Sequence, residues 1–254
     1  MNSVLESILA TETVSDGREI LPLRHPDFPS LPVHLDLLEG TFLQRVIADL
    51  RPHVTLEIGC AYGISSLYIC EALSQLNHDV RHIVIDPFQS TQWRGIGLRH
   101  AQTAGFLSMI DFYEDRSEYV LPQLLKEGTT IDFALIDGWH TFDQVMLEFY
   151  YLNRILAVGG VIAFDDANRR SINRVIRHAL TYPSYRVYGT EAKQVNKLSL
   201  GGRARKALAI MPGADRMIRP DVLQRDWDLG ILGSCVAIQK TANDVRSSGW
   251  DRSF

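Results

Sequence analysis

Residues 54–66, VTLEIGCAYGISS, decide the fold of this chain. The apolar, β-branched run VTLEI leads directly into a segment with glycines at positions 59 and 63, after which the pattern becomes helical. This order is typical of a buried strand, a tight turn and a helix. Glycine allows the backbone to turn sharply, and the first helical turn offers free backbone N–H groups to a ligand. The stretch therefore predicts a strand–turn–helix unit with a binding site at its turn.

The same alternation of strand and helix continues along the chain. Strands separated by helices of 10–15 residues imply βαβ units and a parallel sheet. The strands are almost uniformly apolar, as strands covered on both faces must be. We therefore predict an α/β fold with a Rossmann-like, doubly wound, seven-stranded, mostly parallel sheet and helices on both faces. The predicted strands are 54–58, 82–86, 109–113, 131–137, 159–166, 184–188 and 232–240, and the predicted helices are 35–50, 64–76, 91–104, 117–126, 141–156 and 170–180.

Composition limits the class of protein. The chain has 254 residues, 46% of them hydrophobic, and a formal net charge of −4. That length fits one sizeable domain, and the slightly acidic balance argues against nucleic acid as a partner. The N-terminus lacks the pattern of a signal peptide, and no stretch reaches the roughly 18 apolar residues of a membrane span.

Cysteine usage favours a reducing, cytoplasmic location. The chain has three cysteines, Cys60, Cys70 and Cys235, an odd number with no close pairing, which predicts free thiols. Cys60 lies in the glycine turn and is interpreted either as a reactive thiol or as a small buried residue. The second interpretation is favoured, because free cysteine is usually buried.

Two segments depart from the alternating pattern. Residues 1–34 are predicted to form an N-terminal extension, in which the proline-rich 21–33 is extended and non-helical. The predicted domain covers 35–254 and contains a basic insertion at 189–229 before the last strand. Long connections of this kind are often lids, so a mobile cover over a substrate is one interpretation. The others are a basic amphipathic surface that touches a membrane or a carrier-bound substrate, and a plain solvated surface.

Residues at the predicted strand ends indicate which cofactor binds. A dinucleotide site favours the spacing G-x-G-x-x-G, whereas this turn has an acid, Glu57, two residues before Gly59 and the next glycine at Gly63. That acid would repel a diphosphate and suits a cofactor that carries an ammonium group. Asp86 ends the second strand, 27 residues after Gly59, where a carboxylate can accept both ribose hydroxyls. Ser117 follows the third strand, where an adenine ring would lie and where a serine can also cap the next helix.

Three carboxylates and a histidine follow two neighbouring strands. Asp137 and His140 end the fourth strand, and Asp165 and Asp166 end the fifth. Unpaired carboxylates at adjacent strand ends repel each other, and a hard divalent cation such as Mg²⁺ relieves that repulsion. His140 can accept a proton near neutral pH. The alternative is that the two later aspartates cap the next helix or pair with the arginines at 169 and 170.

These motifs in this order resemble the class I S-adenosylmethionine-dependent methyltransferases. The segments LEIGCAYGISS, HIVIDPF, EDRSEYVLPQL, DFALIDGWH and GGVIAFDD are similar to those of metal-dependent O-methyltransferases of the catechol, caffeoyl-CoA and antibiotic-sugar types, and of the bacterial methyltransferase family 24. The resemblance covers about residues 38–188 and the last strand. Asp166 stands where the catechol enzymes have asparagine, an extra charge that should tighten cation binding.

The resemblance implies a role for each matching residue. It implies that His140 is the catalytic base, assisted by Asp137, and that the divalent cation is held by Asp137, Asp165 and Asp166. The implied contacts to S-adenosylmethionine are Glu57, Gly59, Ala61, Gly63, Ser65, Asp86, Arg116, Ser117, Asp137 and Trp139.

The implied activity is Mg²⁺-dependent transfer of a methyl group to a hydroxyl of a small molecule, such as a sugar, a phenolic compound or another natural product. We also expect a homodimer or higher homo-oligomer. Three alternatives stay open at this point. They are an NAD-dependent oxidoreductase, a metal-binding relative with different chemistry, and a cofactor-binding protein without catalysis.

Overall fold

A computed structural model describes residues 2–27, 35–191 and 225–250 of the chain. The helices are α1 (Ser3–Thr11), α2 (Leu37–Leu50), α3 (Ile64–Ser74), α4 (Ile96–Thr103), α5 (Ser117–Lys126), α6 (Phe142–Ile155), α7 (Arg170–Ala179) and α8 (Asp226–Leu229). The strands are β1 (Thr13–Ser15), β2 (Ile20–Pro22), β3 (Val54–Ile58), β4 (Arg81–Ile85), β5 (Ile110–Tyr113), β6 (Ile131–Ile136), β7 (Leu156–Phe164), β8 (Tyr185–Thr190) and β9 (Val236–Lys240).

Seven strands form one sheet in the order β5-β4-β3-β6-β7-β9-β8. The neighbouring pairs from β5 to β7 are all parallel, and β9 runs antiparallel to both of its neighbours. The chain moves outward from β3 to β4 and β5, then crosses to the other side of β3 to form β6 and β7. The strand order therefore reverses between β3 and β6, and open α/β sheets bind ligands at such a reversal. The predicted fold class is confirmed.

The alternation of side chains along each strand divides the core into two layers. Leu56 and Ile58 of β3 and Ile136 of β6 pack with α5, α6 and α7 on one face. Phe133 and Leu135 of β6 pack with α2 and α3 on the other. The predicted helices on both faces are thus confirmed, and the carboxyl ends of β3 to β7 share one edge of the sheet.

The N-terminal unit, residues 2–27, packs against the same edge of the domain. It consists of α1 and the antiparallel hairpin of β1 and β2, which sequence reasoning had not resolved. The Tyr62 hydroxyl donates to the Arg24 carbonyl at 3.2 Å, and the Trp93 ring packs edge-on against His25 and Tyr62. The unit therefore contacts both the glycine turn after β3 and the segment after β4.

Three predicted boundaries differ from the structure by three residues or more. The predicted strand 232–240 begins only at Val236. The predicted helix 91–104 begins only at Ile96, because Arg94 and Gly95 have φ values of +54° and +67° that no helix accommodates. The predicted strand 159–166 begins at Leu156, where α6 runs into β7 without a loop. The predicted lid in the basic insertion falls mainly on residues 192–224, which lie outside the described residues. Within the described part of the chain, no helix is long and apolar enough to cross a membrane.

Candidate functional site

The glycine turn after β3 lies directly against the end of β6. Gly59 has a φ of +91°, and a Cβ atom at this position would lie 2.1 Å from the carbonyl oxygen of Asp137. Its N–H donates to the Ile85 carbonyl at 2.9 Å, which extends the sheet by one bond beyond β4. Only glycine permits this close approach. The predicted cofactor segment and the predicted metal segment are therefore neighbours at the strand reversal.

Glu57 lies beneath the start of α3 with no exposed surface. Its carboxylate accepts hydrogen bonds from the hydroxyls of Ser65 and Ser66, and lies 3.1 Å from Nε2 of His82. The carboxylate thus faces inward and fixes the first turn of α3. A direct contact with a ligand ammonium group is not available to it in this arrangement, so its influence on a cofactor passes through the backbone of the turn.

Asp86 is also committed to the glycine turn. One carboxylate oxygen accepts from the backbone N–H groups of Cys60 and Ala61 at 3.0 and 2.8 Å, and the other from the Phe88 N–H at 2.8 Å. The residue is 3% exposed. Its contact with a ribose stays a prediction. The structure adds a role that the motif did not indicate, which is to hold Ala61 at a φ of +47°.

The segment after β5 contains a buried hydroxyl group, that of Ser117, and an exposed guanidinium group, that of Arg116. Ser117 begins α5 and is 5% exposed, and its hydroxyl donates to Glu148 of α6 at 2.7 Å. Arg116 is exposed and lies 3.6 Å from Glu118. Trp139, beyond the end of β6, is 66% exposed. The expected contacts of these residues with an adenine ring stay predictions.

Asp137, His140 and Asp165 converge at the carboxyl ends of β6 and β7. One ligand atom from each lies within 4.8 Å of the others, as in groups that hold a metal ion. Burial raises the pKa of both aspartates well above the usual range, and their side chains share a hydrogen bond. Two half-buried carboxyl groups in contact repel each other when both are ionised, so they favour a shared proton in the place that a cation can take.

His140 carries an unsatisfied nitrogen inside this cluster. Its Nε2 is buried, has no hydrogen-bond partner among the described residues, and lies 3.5 Å from Oδ1 of Asp137. Ser171 of α7 fixes the backbone of this residue, because its hydroxyl donates to the His140 carbonyl at 2.7 Å. Burial lowers the pKa of His140, although the carboxylate of Asp166 opposes the effect. The imidazole is therefore neutral near pH 7 and can accept a proton.

Asp166 stands slightly apart from the other two aspartates. It has a φ of +52°, and its carboxylate lies 2.7 Å from Nε of Arg169 and 3.3 Å from Nδ1 of His140. The predicted trio of metal ligands is thus only partly assembled, since Asp166 pairs with Arg169, as the alternative interpretation expected. The two interpretations are compatible, because a cation at Asp137 and Asp165 would attract the third carboxylate.

Residues 56–167 match a family model described as a methyltransferase domain. The match runs from β3 to the end of β7 and includes the glycine turn, both acidic strand ends and His140. These residues form a methyltransferase domain. The resemblance inferred from the five motifs is thereby confirmed.

Two curated proteins that are similar in sequence to this chain are named as O-methyltransferases. A 126-residue alignment with the rhamnosyl O-methyltransferase of Mycobacterium tuberculosis (strain ATCC 25618 / H37Rv) is 23% identical and covers 49% of this chain and 50% of that protein. A second alignment, of 130 residues with caffeoyl-CoA O-methyltransferase 1 of Eucalyptus globulus, is 29% identical and covers 50% of this chain and 50% of that protein. The chain thus spans about half the length of the curated relatives it matches.

Solved structures show the same architecture. An O-methyltransferase from Bacillus cereus in complex with SAH has a TM-score of 0.58 and 18% identity, over 74% of this chain and 83% of that one. The O-methyltransferase TomG from Streptomyces achromogenes, in complex with SAM, has a TM-score of 0.59 and 17% identity, over 74% and 82%. At this identity the similarity establishes the fold of the methyltransferase domain.

Sequence reasoning missed two buried acids. Glu148 is 1% exposed on the inner face of α6, and Glu39 is 8% exposed in the first turn of α2. Glu39 accepts a hydrogen bond from the hydroxyl of Ser234, and burial raises its pKa. Both glutamates occur at helical spacing among buried apolar residues. A charged residue on the apolar face of a predicted helix was therefore the available signal.

Proposed function

We propose that this protein is an S-adenosylmethionine-dependent O-methyltransferase that uses Mg²⁺ and acts on a hydroxyl of a small molecule. The observation that carries the proposal is the cluster of Asp137, His140 and Asp165 directly beside the glycine turn. The cluster supports the proposal because its residues could hold a cation and accept a proton at the strand reversal where α/β sheets bind ligands. The names of the related O-methyltransferases support the same reaction class.

The donor set fits a hard divalent cation. Asp137 and Asp165 would hold the ion, joined by Asp166 once it leaves Arg169, and carboxylate oxygens favour Mg²⁺ over softer metals. A bound Mg²⁺ would supply Lewis acidity that lowers the pKa of a coordinated hydroxyl. The buried Nε2 of His140, which has no hydrogen-bond partner among the described residues, supports this assignment because it lies 3.5 Å from Oδ1 of Asp137, next to the proposed cation.

The residues of the chain then have distinct tasks. His140 accepts the proton of the acceptor hydroxyl at Nε2, and Ser171 keeps its backbone in place. The glycine turn, fixed by Asp86 and Glu57, positions the methyl donor. Because the sulfonium is already an activated electrophile, orienting and deprotonating the acceptor are the main tasks left to the protein. An acceptor with two adjacent hydroxyls is favoured, since it offers two oxygens to one cation.

Calorimetric titration tests the cofactor. We expect S-adenosylmethionine to bind and NAD not to bind, because the spacing of the glycines in the turn disfavours a diphosphate. Asp86→Ala should weaken binding by at least roughly 2–4 kcal/mol, because it removes two charge-assisted hydrogen bonds to the ribose and also the carboxylate that holds the glycine turn. Tighter binding of NAD than of S-adenosylmethionine would instead favour the oxidoreductase alternative.

Metal removal tests the reaction. Methyl transfer to a panel of catechols and sugar diols should stop in EDTA and return with Mg²⁺. Asp165→Asn should abolish turnover and leave binding of S-adenosylmethionine within about twofold, because the cation would contact the acceptor and not the donor. Full activity in EDTA would mean that the aspartates have only a structural role.

We infer a cytoplasmic location and a homo-oligomer as part of the same proposal.

A further inference from the structure

The carboxyl group of Glu148 lies between α5 and the loop that follows β6. Glu148 lies on the inner face of α6 together with Val145 and Leu152, and it is 1% exposed. A Cβ atom on Gly138 would lie only 3.7 Å from its Oε1. The carboxyl is thus next to the loop that carries Asp137 and Trp139, and it belongs to none of the groups assigned above.

The hydrogen bonds around this carboxyl fix the polarity of the Ser117 hydroxyl. Ser117 Oγ donates to Glu148 Oε1 at 2.7 Å and accepts from Nε2 of Gln144 at 2.9 Å. A serine hydroxyl has one proton and two lone pairs. The proton and one lone pair are therefore committed inside the protein. The remaining lone pair can only accept a hydrogen bond from a ligand.

The protonation state of Glu148 does not alter this arrangement. Burial raises the pKa of Glu148 to about 7, so part of the population is neutral at neutral pH. Oε1 already accepts from Ser117 and from Gln144 at 3.3 Å. A proton is thus expected on Oε2, which is buried and has no partner in the part of the chain that the structure describes. Oε1 stays an acceptor in both states.

We propose that Glu148, acting through Ser117, makes the cofactor site select a purine with a 6-amino group over one with a 6-oxo group. The inference rests on the proposed function and on the prediction from the sequence that Ser117 lies at the adenine end of the cofactor. The amino group of adenine donates to the free lone pair of Ser117. The 6-oxo group of hypoxanthine is itself an acceptor, so it cannot form a hydrogen bond with that lone pair. A binding site that accepts a hydrogen bond from its ligand discriminates strongly against a ligand that offers an acceptor there. Glu148 is a positioning residue in this scheme.

The test compares two ligands by calorimetry. S-adenosyl-L-homocysteine and its deaminated analogue, S-inosyl-L-homocysteine, differ in the group at purine position 6. We expect the unmodified protein to bind the adenosyl compound about 30-fold more tightly. Glu148→Met removes the acceptor and frees the Ser117 proton, so the ratio should fall to within about threefold. Glu148→Gln keeps one acceptor oxygen and should retain more of the discrimination.

Three variants separate this role from general packing. Glu118→Gln is the matched control. Oε2 of Glu118 accepts a hydrogen bond from Nε2 of Gln144 at 3.2 Å, and Glu118 is not hydrogen-bonded to the Ser117 hydroxyl. This variant should leave the ratio unchanged. Ser117→Ala should remove the discrimination while Glu148 is intact, and adding Glu148→Met to it should change the ratio no further.

Two results would overturn the inference. One is an equal loss of affinity for both ligands in Glu148→Met, which would make Glu148 a purely structural residue. The other is discrimination that survives in Ser117→Ala. Failure of the unmodified protein to bind either ligand is a different outcome and would refute the proposed function itself.

Discussion

Glu148 makes the stability of the methyltransferase domain depend on pH. Burial raises its pKa to about 7, whereas a glutamate in an unfolded chain titrates near pH 4.3. The folded protein therefore holds this proton more tightly than the unfolded chain. Its stabilising contribution is complete below about pH 4 and is lost as the pH rises to about 7.

We predict that Glu148→Gln, which cannot ionise, reduces this dependence. Relative to the unmodified protein, the variant should gain roughly 3 kcal/mol of unfolding free energy between pH 4 and pH 8, at about 1.4 kcal/mol for each unit of pKa shift. Urea denaturation of both proteins at four pH values measures the difference. Glu118→Gln, on the adjacent helix α5, should show little of this pH-dependent gain in unfolding free energy. An unfolding difference that is constant across the pH range would contradict the assignment.

Arg169 would compete with the proposed cation for Asp166. Its Nε lies 2.7 Å from the carboxylate, and its positive charge also repels an ion at the neighbouring aspartates. We predict that Arg169→Gln tightens Mg²⁺ binding by about three- to tenfold, measured by calorimetry. Arg170→Gln, one position further along the chain, is the control. Weaker Mg²⁺ binding in Arg169→Gln would mean that the arginine orients Asp166 for the metal.

Residues next to strand ends were predictable, and their partners were not. Asp137, His140 and Asp165 follow recognisable strands, so the chain itself brings them together. The inward direction of Glu57 depends on His82, and the commitment of Asp86 depends on backbone groups at 60 and 61. Those contacts join segments about 25 residues apart, and strand periodicity contains no information about them.

At the scale of elements, the glycine turn is the most constrained connection. We predict that Gly59→Ala destabilises the fold by about 3 kcal/mol or more, because an added Cβ meets the Asp137 carbonyl and the φ is positive. Gly105→Ala is the matched control. Its φ is +80°, but the space around it is open, so we expect a loss of about 1 kcal/mol. Equal losses in thermal or urea unfolding would show that the turn can move away from β6.

Element boundaries show the limit of pattern reasoning. The strands from β3 to β7 were recognisable because their apolar runs are short and bounded by glycine or charge. The start of α4 was not, since the turn at Arg94 and Gly95 occurs in a stretch whose spacing still resembles a helix. Arg94 is held in that turn by Asp16 and Glu19 of the N-terminal unit. Arg94, just before the helix, is thus paired with residues almost 80 positions away in sequence, which no local pattern reveals.

At the scale of the whole molecule, the three thiols report on global unfolding. Cys60, Cys70 and Cys235 are free and at most 5% exposed, which agrees with the favoured interpretation of Cys60. Burial raises the pKa of each thiol above its usual value. We predict no labelling by an aromatic disulfide reagent in the native protein and labelling of three thiols in denaturant. Rapid native labelling of Cys60, identified by peptide mapping, would show that the glycine turn opens locally.

The position of β9 has a consequence for synthesis on the ribosome. This strand is the last of the sheet to be translated, yet it lies between β7 and β8 and pairs with both. While residues 191–235 are being added, a nascent chain holds β8 without its sheet neighbour and leaves one side of β7 unpaired. Exposed strand edges recruit other strands. A ribosome that stalls in this interval therefore presents an open edge that a chaperone, or a second nascent chain of the same kind, can bind.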